Sequence, residues 1–586
     1  MKNLSILFVM FLSFTFCGNA QYNFSIPDHF RTQRNLPLLD LDNKMDVMLS
    51  GYGAIANDGK DDGEAISKAL VMCKKLATSG VNVRLVFEKG TYDLFSNKNN
   101  THLVEIFDAN NIVIEGNGAE IIVHDPLMGF MSIVKSNNII VKNLFIDYDP
   151  LPFTQGKIVA VNKESNSFDL KVDEGFPKIT HSMFQESSRC WGMLMDRSIP
   201  GKLKDGAPNL FGTRNFEELS PGVFRVKFDS DRLLAFTEVG DLYVHIARTN
   251  GRTIFKTGNS KNITYLDITS YSSPAGSYAA FGMEEWNVIS CQVKLKPGRL
   301  HSANADCFHV NGGKFGPWIE NSLFEGYSDD AINMKNTKAH ILSQKSPTEI
   351  IVQGGVRKGD VIRIFNPRDG LLIGQYDVIN NKFLGDRQMH ITLAQPLNEK
   401  LQVGDDKKDD VVYIDTQSNE SFVIRNNTFR NARRYGILLQ NSYGIIERNL
   451  FENLSQSGIT IYNGVDWGEG FIAHDIVINQ NIFNNCGYDL AYLKQDNAAA
   501  IKTIVNKLKN LEVKGKWNGV EKSDWQGIEN ISITNNTFSY NRRALAIECT
   551  QNSVIQSNTF IRNSKDISDE HEIIMESNNS GLIFEN

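Results

Sequence analysis

The sequence predicts an all-β chain wound as a coil of short parallel strands, a parallel β-helix. Two observations predict it. The first is a repeat in the C-terminal half: Asn427-Thr-Phe429, Asn449-Leu-Phe451, Asn481-Ile-Phe483, Asn536-Thr-Phe538 and Asn558-Thr-Phe560. The intervals 429 to 451 and 538 to 560 are both 22 residues, a period that suits a stacked solenoid. The second is period-2 alternation after asparagine, as in Asn111-Ile-Val-Ile-Glu and Asn137-Asn-Ile-Ile-Val, the mark of a half-buried strand. Each repeat Phe should point inward and stack on the Phe of the next turn. Each Asn should stand at a bend, in the left-handed region, and bond the next turn's backbone.

The elements then follow in order. Residues 1–20 read as a secretory leader, with Lys2, an apolar run Ile6 to Phe16, and small residues in Gly18-Asn19-Ala20. Cleavage would leave Gln21 first, and acylation at Cys17 is the alternative. Either implies a periplasmic or secreted protein. No later apolar run reaches the length of a membrane span. Residues 21–150 hold an N-terminal cap and the first coil turns. A helix starts at Asp61 or Asp62, with Ile66, Ala69, Leu70, Cys73 and Leu76 on one face. Arg84 to Phe87 reads as a strand. From 151 to 255 the repeat disappears and short alternating runs indicate an inserted β-domain. The coil resumes over 256–337, a second β-insertion runs 338–418, and the C-terminal repeats fill 419–586. Within these, 490–527 reads as an excursion, helical over Ala498 to Leu508.

The formal charge is −7 over 586 residues. That argues against a nucleic-acid partner, which would need basic patches. Cys73, Cys190, Cys291, Cys307, Cys486 and Cys549 show no metal-ligand spacing and read as buried, unpaired core residues.

Residues 304–335 carry the candidate chemistry. Asn304-Ala-Asp306-Cys-Phe-His309 aligns with Ser328-Asp-Asp330-Ala-Ile-Asn333, so one coil turn should set Asp306 beside Asp330 and His309 beside Asn333. Asp329 joins them if the chain bends there, since neighbours on a straight strand face opposite sides. Carboxyl groups crowded together take unlike pKa values, which supplies a proton donor and a base. Glycosidic bond hydrolysis uses such a pair. Alignment on the repeat Phe places Arg434 and Gln456 in the column of Asp329. The substrate-binding candidates are His309, Asn333, Lys335, Arg434 and Trp286, with Trp191, Trp318 and Trp467 as further aromatic platforms. No metal or cofactor is called for, because a carboxylate can activate the water.

The opening segment, Gly51-Tyr-Gly-Ala through Val86-Phe-Glu-Lys-Gly90, resembles the start of pectin-lyase-like right-handed β-helices. Asp306 with Asp329-Asp330 is similar to the three-aspartate arrangement of β-helical polygalacturonases, but their Gly-His-Gly and Arg-Ile-Lys motifs do not occur here. The wider pattern resembles glycoside hydrolase family 110, the inverting α-1,3-galactosidases. It comprises Ile146-Asp-Tyr-Asp-Pro, Phe153-Thr-Gln-Gly-Lys157, Ala305-Asp-Cys-Phe-His-Val, Ser328-Asp-Asp-Ala-Ile-Asn and two inserted small β-barrel-like domains. That resemblance implies an exo-acting enzyme on glycans with terminal α-1,3-linked galactose, either the branched blood-group-B determinant or linear Gal-α-1,3-Gal. It implies Asp329 as general acid, with Asp306 and Asp330 holding and deprotonating the water. Inversion calls for roughly 6.5 to 9.5 Å between acid and base. A homodimer is compatible with the chain. The competing readings are an enzyme acting on uronic-acid polymers and a non-catalytic carbohydrate-binding β-helix.

Overall fold

The computed structural model describes residues 22, 24–30, 34–96, 100–229, 231–404, 406–489, 497–512, 519–561 and 574–585. The expected leader, Cys17 and Gln21 lie outside the described residues. The body is a coil of parallel strands, 34 of them joined through turn-to-turn pairing. The repeat Phe residues pair in register, Phe324 with Phe429, then Phe451, Phe483, Phe538 and Phe560. Their rings stack nearly parallel, 5.3, 4.9, 4.7, 4.9 and 5.4 Å between centroids. Each such ring removed from water contributes about 1.5–3 kcal/mol.

The asparagines form a second internal column. Asn449 Oδ1 accepts both the Asn427 backbone N–H and the Asn427 side-chain amide at 3.0 Å. The same pair of bonds links Asn449 to Asn481, Asn481 to Asn536 and Asn536 to Asn558. Each amide also donates to a backbone carbonyl, Asn449 to Ile424 at 2.9 Å. Buried backbone at the bends is thereby satisfied. The left-handed conformation falls one residue earlier than expected: Asn426, Arg448, Gln480, Asn535 and Ser557 have φ between 54° and 57°. The ladder amides need the extended geometry that aims them along the coil axis, so the preceding residue makes the turn.

Helix Gly63–Thr78 covers the first turns and buries Ile66, Ala69, Leu70 and Cys73. Asp61 caps it, accepting the Gly63 N–H at 3.0 Å. Asp62 instead accepts the Ile55 and Asp93 N–H groups and ties the helix to the coil. The strand beside it is Val83–Val86.

Between Phe153 and Arg248, six antiparallel strands form a sheet. It is an open sheet with two edges, which corrects the barrel-like expectation for this insertion. Ion pairs within the coil brace the point where this sheet departs, and Gln155 joins the sheet to the coil. Asp147, buried at the point of departure, accepts two bonds from Arg299 at 2.7 and 2.9 Å and one from Lys296 at 2.9 Å. Gln155 accepts the Leu300 N–H at 2.8 Å. The second insertion, strands from Thr337–Ser346 to Val411–Ile414, is a closed six-stranded barrel with its own core of Ile341, Val352, Ile364, Ile391 and Val412.

The helix expected over Ala498 to Leu508 is not formed. Ile501–Ile504 is a coil strand paired with Ile459–Tyr462 and Leu545–Glu548, and Asn506–Leu508 pairs with Val520–Lys522. The β-branched Ile501, Thr503 and Ile504 outweigh the helix propensity of the three preceding alanines. The six cysteines are free, five of them buried.

One prediction concerns the ladder. Asn449→Ala orphans the Asn427 and Ile424 backbone groups and should cost about 1–3 kcal/mol for each buried group left unpaired. Urea unfolding of the two proteins should show the midpoint drop.

Candidate active site

Pairing between strand Phe308–Phe315 and strand Ile332–Lys335 sets His309 beside Asn333 and Asn311 beside Lys335. The Cys307 N–H donates to the Asp330 carbonyl at 3.0 Å, so Asp306 and Asp330 are lateral neighbours. The next turn pairs Ile332 with Ile437, which brings Arg434 opposite Asp329. The turn before contributes Gly276. A Cβ there would stand 1.9 Å from the Asp306 carbonyl oxygen, so only glycine lets these turns approach. Asp329 and Asp330 lie between strands Leu323–Glu325 and Ile332–Lys335, and the bend turns both into one cavity.

That cavity encloses about 420 Å³. The coil supplies its floor with Asp306, Asp329, Asp330, His309, Asn333 and Arg434. The first insertion adds Arg189 and Arg248, which face each other across two of its strands. Asn250 follows on the return to the coil, and the segment after strand Ile459–Tyr462 adds Trp467 and Glu469.

The three carboxyl groups each place an oxygen within 4.8 Å of the others. The spacing expected for an inverting pair is longer than this closest approach. It is, however, the span of one shared water: two bonds of about 2.8 Å at a tetrahedral angle reach roughly 4.6 Å. Asp306 Oδ1 accepts the Asp330 N–H at 3.1 Å, and its Oδ2 lies 2.7 Å from His309 Nδ1, whose N–H donates. Asp330 Oδ2 accepts from the Asn333 amide at 3.1 Å. Asp330 Oδ1 and Asn333 Oδ1 are buried without a hydrogen-bond partner among the described residues; the Arg434 Nε stands 3.5 Å from Asp330 Oδ1. Two such atoms facing a cavity call for a ligand's hydroxyl or a water.

Arginines divide the charge unequally. Asp329 is gripped at both oxygens, by Arg434 at Oδ1 and Arg248 at Oδ2. Burial pushes its pKa up, but Arg434, Arg248 and Arg433 outweigh burial and hold the carboxyl well below the usual range. Asp330 goes the other way. Burial, with the like charges of Asp329, Asp306 and Glu469, outweighs Arg434 and raises it well above that range. Of the adjacent pair, Asp330 therefore has the higher proton affinity. Trp191 organises the clamp, with the guanidinium carbons of Arg248 and Arg433 each 5.6 Å from its ring. Three oxygens so placed could also ligate a cation, but it would have to displace two guanidinium groups from Asp329.

The other sequence candidates divide. Trp467 lines the cavity. Trp286 is buried in the coil and stacks on Phe308 at 4.2 Å, so it cannot touch a substrate; its strand faces it inward. Trp318 is likewise buried, between Arg34 and Arg425. Lys335 stands outside the catalytic cavity, paired with Glu469 at 3.3 Å. Arg189, Arg248, Arg433 and Glu469 were missed. An Arg-Arg pair in the Asp329 column was a usable signal for Arg433; residues delivered by an insertion left none.

Residues 410–502 match a family model described as a right-handed beta helix region. The chain is 25% identical over 557 residues to the Alpha-1,3-galactosidase A of Shewanella woodyi, covering 89% of this chain and 86% of that one. It is 25% identical over 414 residues to the Alpha-1,3-galactosidase A of Bacteroides thetaiotaomicron, covering 66% and 70%. Among solved structures, a Family 28 exopolygalacturonase of Yersinia enterocolitica is 10% identical, with 92% and 78% covered and a TM-score of 0.42.

The raised Asp330 gives a pH prediction. A carboxyl whose folded pKa lies above its unfolded value must lose stability as pH rises from about 4, the usual carboxylate value, towards the folded pKa. Asparagine mimics the protonated acid and does not titrate. Asp330→Asn should therefore gain on the native chain in urea unfolding at pH 8 relative to pH 4.

Proposed function

We propose, from its kinship with alpha-1,3-galactosidases over most of its length, that this chain is an exo-acting glycoside hydrolase of family 110 that releases terminal α-1,3-linked galactose. The observation that carries the reading is the convergence of Asp306, Asp329 and Asp330 on the floor of a walled cavity. An open groove would suit a polymer cut internally. Walls from the first insertion and from the Trp467 segment suit a terminal sugar instead. Trp467 offers an apolar face for the galactose ring, and His309, Asn333, Arg434 and Glu469 offer partners for its hydroxyls. A uronic-acid substrate finds Arg248 and Arg434 already paired with Asp329. The leader expected at residues 1–20 supports a periplasmic or secreted enzyme.

The reaction proceeds with inversion. Asp306 and Asp330 flank one water, and Asp329 protonates the departing glycosidic oxygen. Hydrolysis needs one proton on the Asp329–Asp330 pair, and the raised proton affinity of Asp330 supports its keeping one before substrate binds. Galactose hydroxyls that take up Arg248 and Arg434 would loosen the clamp on Asp329 and raise its proton affinity. The proton then moves to Asp329 and leaves Asp330 ionised to act as base. Such a coupled pair titrates as a unit, so its apparent pKa values belong to both groups. His309 orients Asp306 by donating to the oxygen that does not accept the Asp330 N–H.

Proton NMR of Gal-α-1,3-Gal and of the branched B trisaccharide, followed from the first minutes, tests the reading. β-Galactose should appear before mutarotation. α-Galactose first would overturn the roles of the three aspartates. Release from neither substrate would overturn the reading itself. Asp329→Asn should lower kcat by about 10³-fold, the usual size of a proton-donor contribution, and should also lower the urea-unfolding midpoint, because Arg248 and Arg434 lose their counter-charge.

A further inference from the structure

A second cavity of about 420 Å³ opens beside the first. The coil contributes Asn311 and Lys335 to it, and the barrel insertion contributes Lys338, His340 and Arg387. The two cavities share Glu469. Their spacing follows from the strands. His309 and Asn333 line the catalytic cavity, and Asn311 and Lys335 lie two residues further along the same two strands. Residues two apart share a face and stand about 6.6–6.8 Å from one another, the scale of one pyranose ring. The second cavity is therefore where the sugar next to the scissile bond would sit.

Its charge is lopsided. Lys335, Lys338 and Arg387 face a single carboxylate, Glu469, and that carboxylate already pairs with Lys335 at 3.3 Å. Lys338 donates to the Gly468 carbonyl, which neutralises nothing. Burial, with the like charges of Lys335 and Lys407, outweighs Glu469 and lowers the Lys338 ammonium to about 8. The Arg387 side chain is exposed at the rim and forms no ion pair among the described residues. A neutral sugar accepts bonds from these donors but does not balance their charge. An anionic group does, through charge-assisted bonds.

We infer that this second cavity is a leaving-group subsite for a sugar bearing an anionic substituent, a sulfate ester or a carboxylate, read by Lys335, Lys338 and Arg387. The inference rests on the proposed galactosidase reading for the identity of the neighbouring sugar. The enzyme would then prefer terminal galactose attached to an acidic glycan, and the barrel insertion would be its specificity element. Arg387 lies outside the first cavity and would touch only the anionic substituent.

The test compares kcat/KM for Gal-α-1,3-Gal with a panel sulfated on the reducing-end sugar at O2, O4 or O6, and with galactose linked to a galacturonate. At least one anionic substrate should exceed the neutral one about tenfold, mainly through KM, and the advantage should shrink in high salt. The sulfated and galacturonate arms separate the two sources of charge. Arg387→Gln should abolish the advantage and leave the neutral substrate within twofold. Equal rates for all substrates, or an advantage that survives Arg387→Gln, would overturn the subsite. If no galactose is released from any substrate, calorimetry with the free sulfated galactoses and galacturonate decides. Binding weakened at least fivefold by Arg387→Gln upholds the subsite apart from the galactosidase reading, and no binding refutes it.

Discussion

Parallel pairing that keeps its register through the turns of the site and those that follow is the constraint on which the molecule depends. It places each position of one turn beside the equivalent position of the next, so whatever the sequence repeats becomes a column. Phenylalanine makes an aromatic column and asparagine an amide column. Where the repeat is broken by Asp306, Asp329, Asp330 and Arg434, the same rule makes a site. A slip of one residue would turn the aspartates inward among apolar side chains, at several kcal/mol for each buried charge.

Holding acidic groups this close needs compensation, and the structure supplies it asymmetrically. Three arginines attend Asp329, whereas Asp330 has only the edge of Arg434 and three acidic neighbours. Two adjacent residues of the same type thus differ in protonation because of what surrounds them. The arginines in turn repel each other, and Trp191 beneath Arg248 and Arg433 offsets part of that cost. Substrate hydroxyls competing for the clamp would couple sugar binding to proton placement, which is a physical route from recognition to catalysis.

The insertions convert a groove into a pocket. A bare coil exposes its floor along its whole length. The first insertion, joined to the coil where Gln155 accepts the Leu300 N–H, projects Arg189 and Arg248 over one side. The barrel leaves the coil directly after the site strand, at Thr337, and brings Lys338 and Arg387 alongside. Under the proposed reading, chemistry resides in the coil and selectivity in the additions to it.

The sequence by itself determined the coil, the stacked Asn and Phe columns, the capping helix and the juxtaposition of Asp306 with Asp330 and His309 with Asn333. All follow from spacing one turn apart, which a periodic pattern reports directly. Local composition misled at Ala498 to Leu508, where pairing with turns on both sides overrode alanine's helix propensity, and at Trp286, whose inward orientation no residue count reveals. Only the tertiary structure decided the company of Asp329. Arg248 lies 81 residues away and arrives through the docking of an inserted sheet. No period links such residues, so their meeting, and with it the opposite pKa shifts of Asp329 and Asp330, depends on how separate units pack.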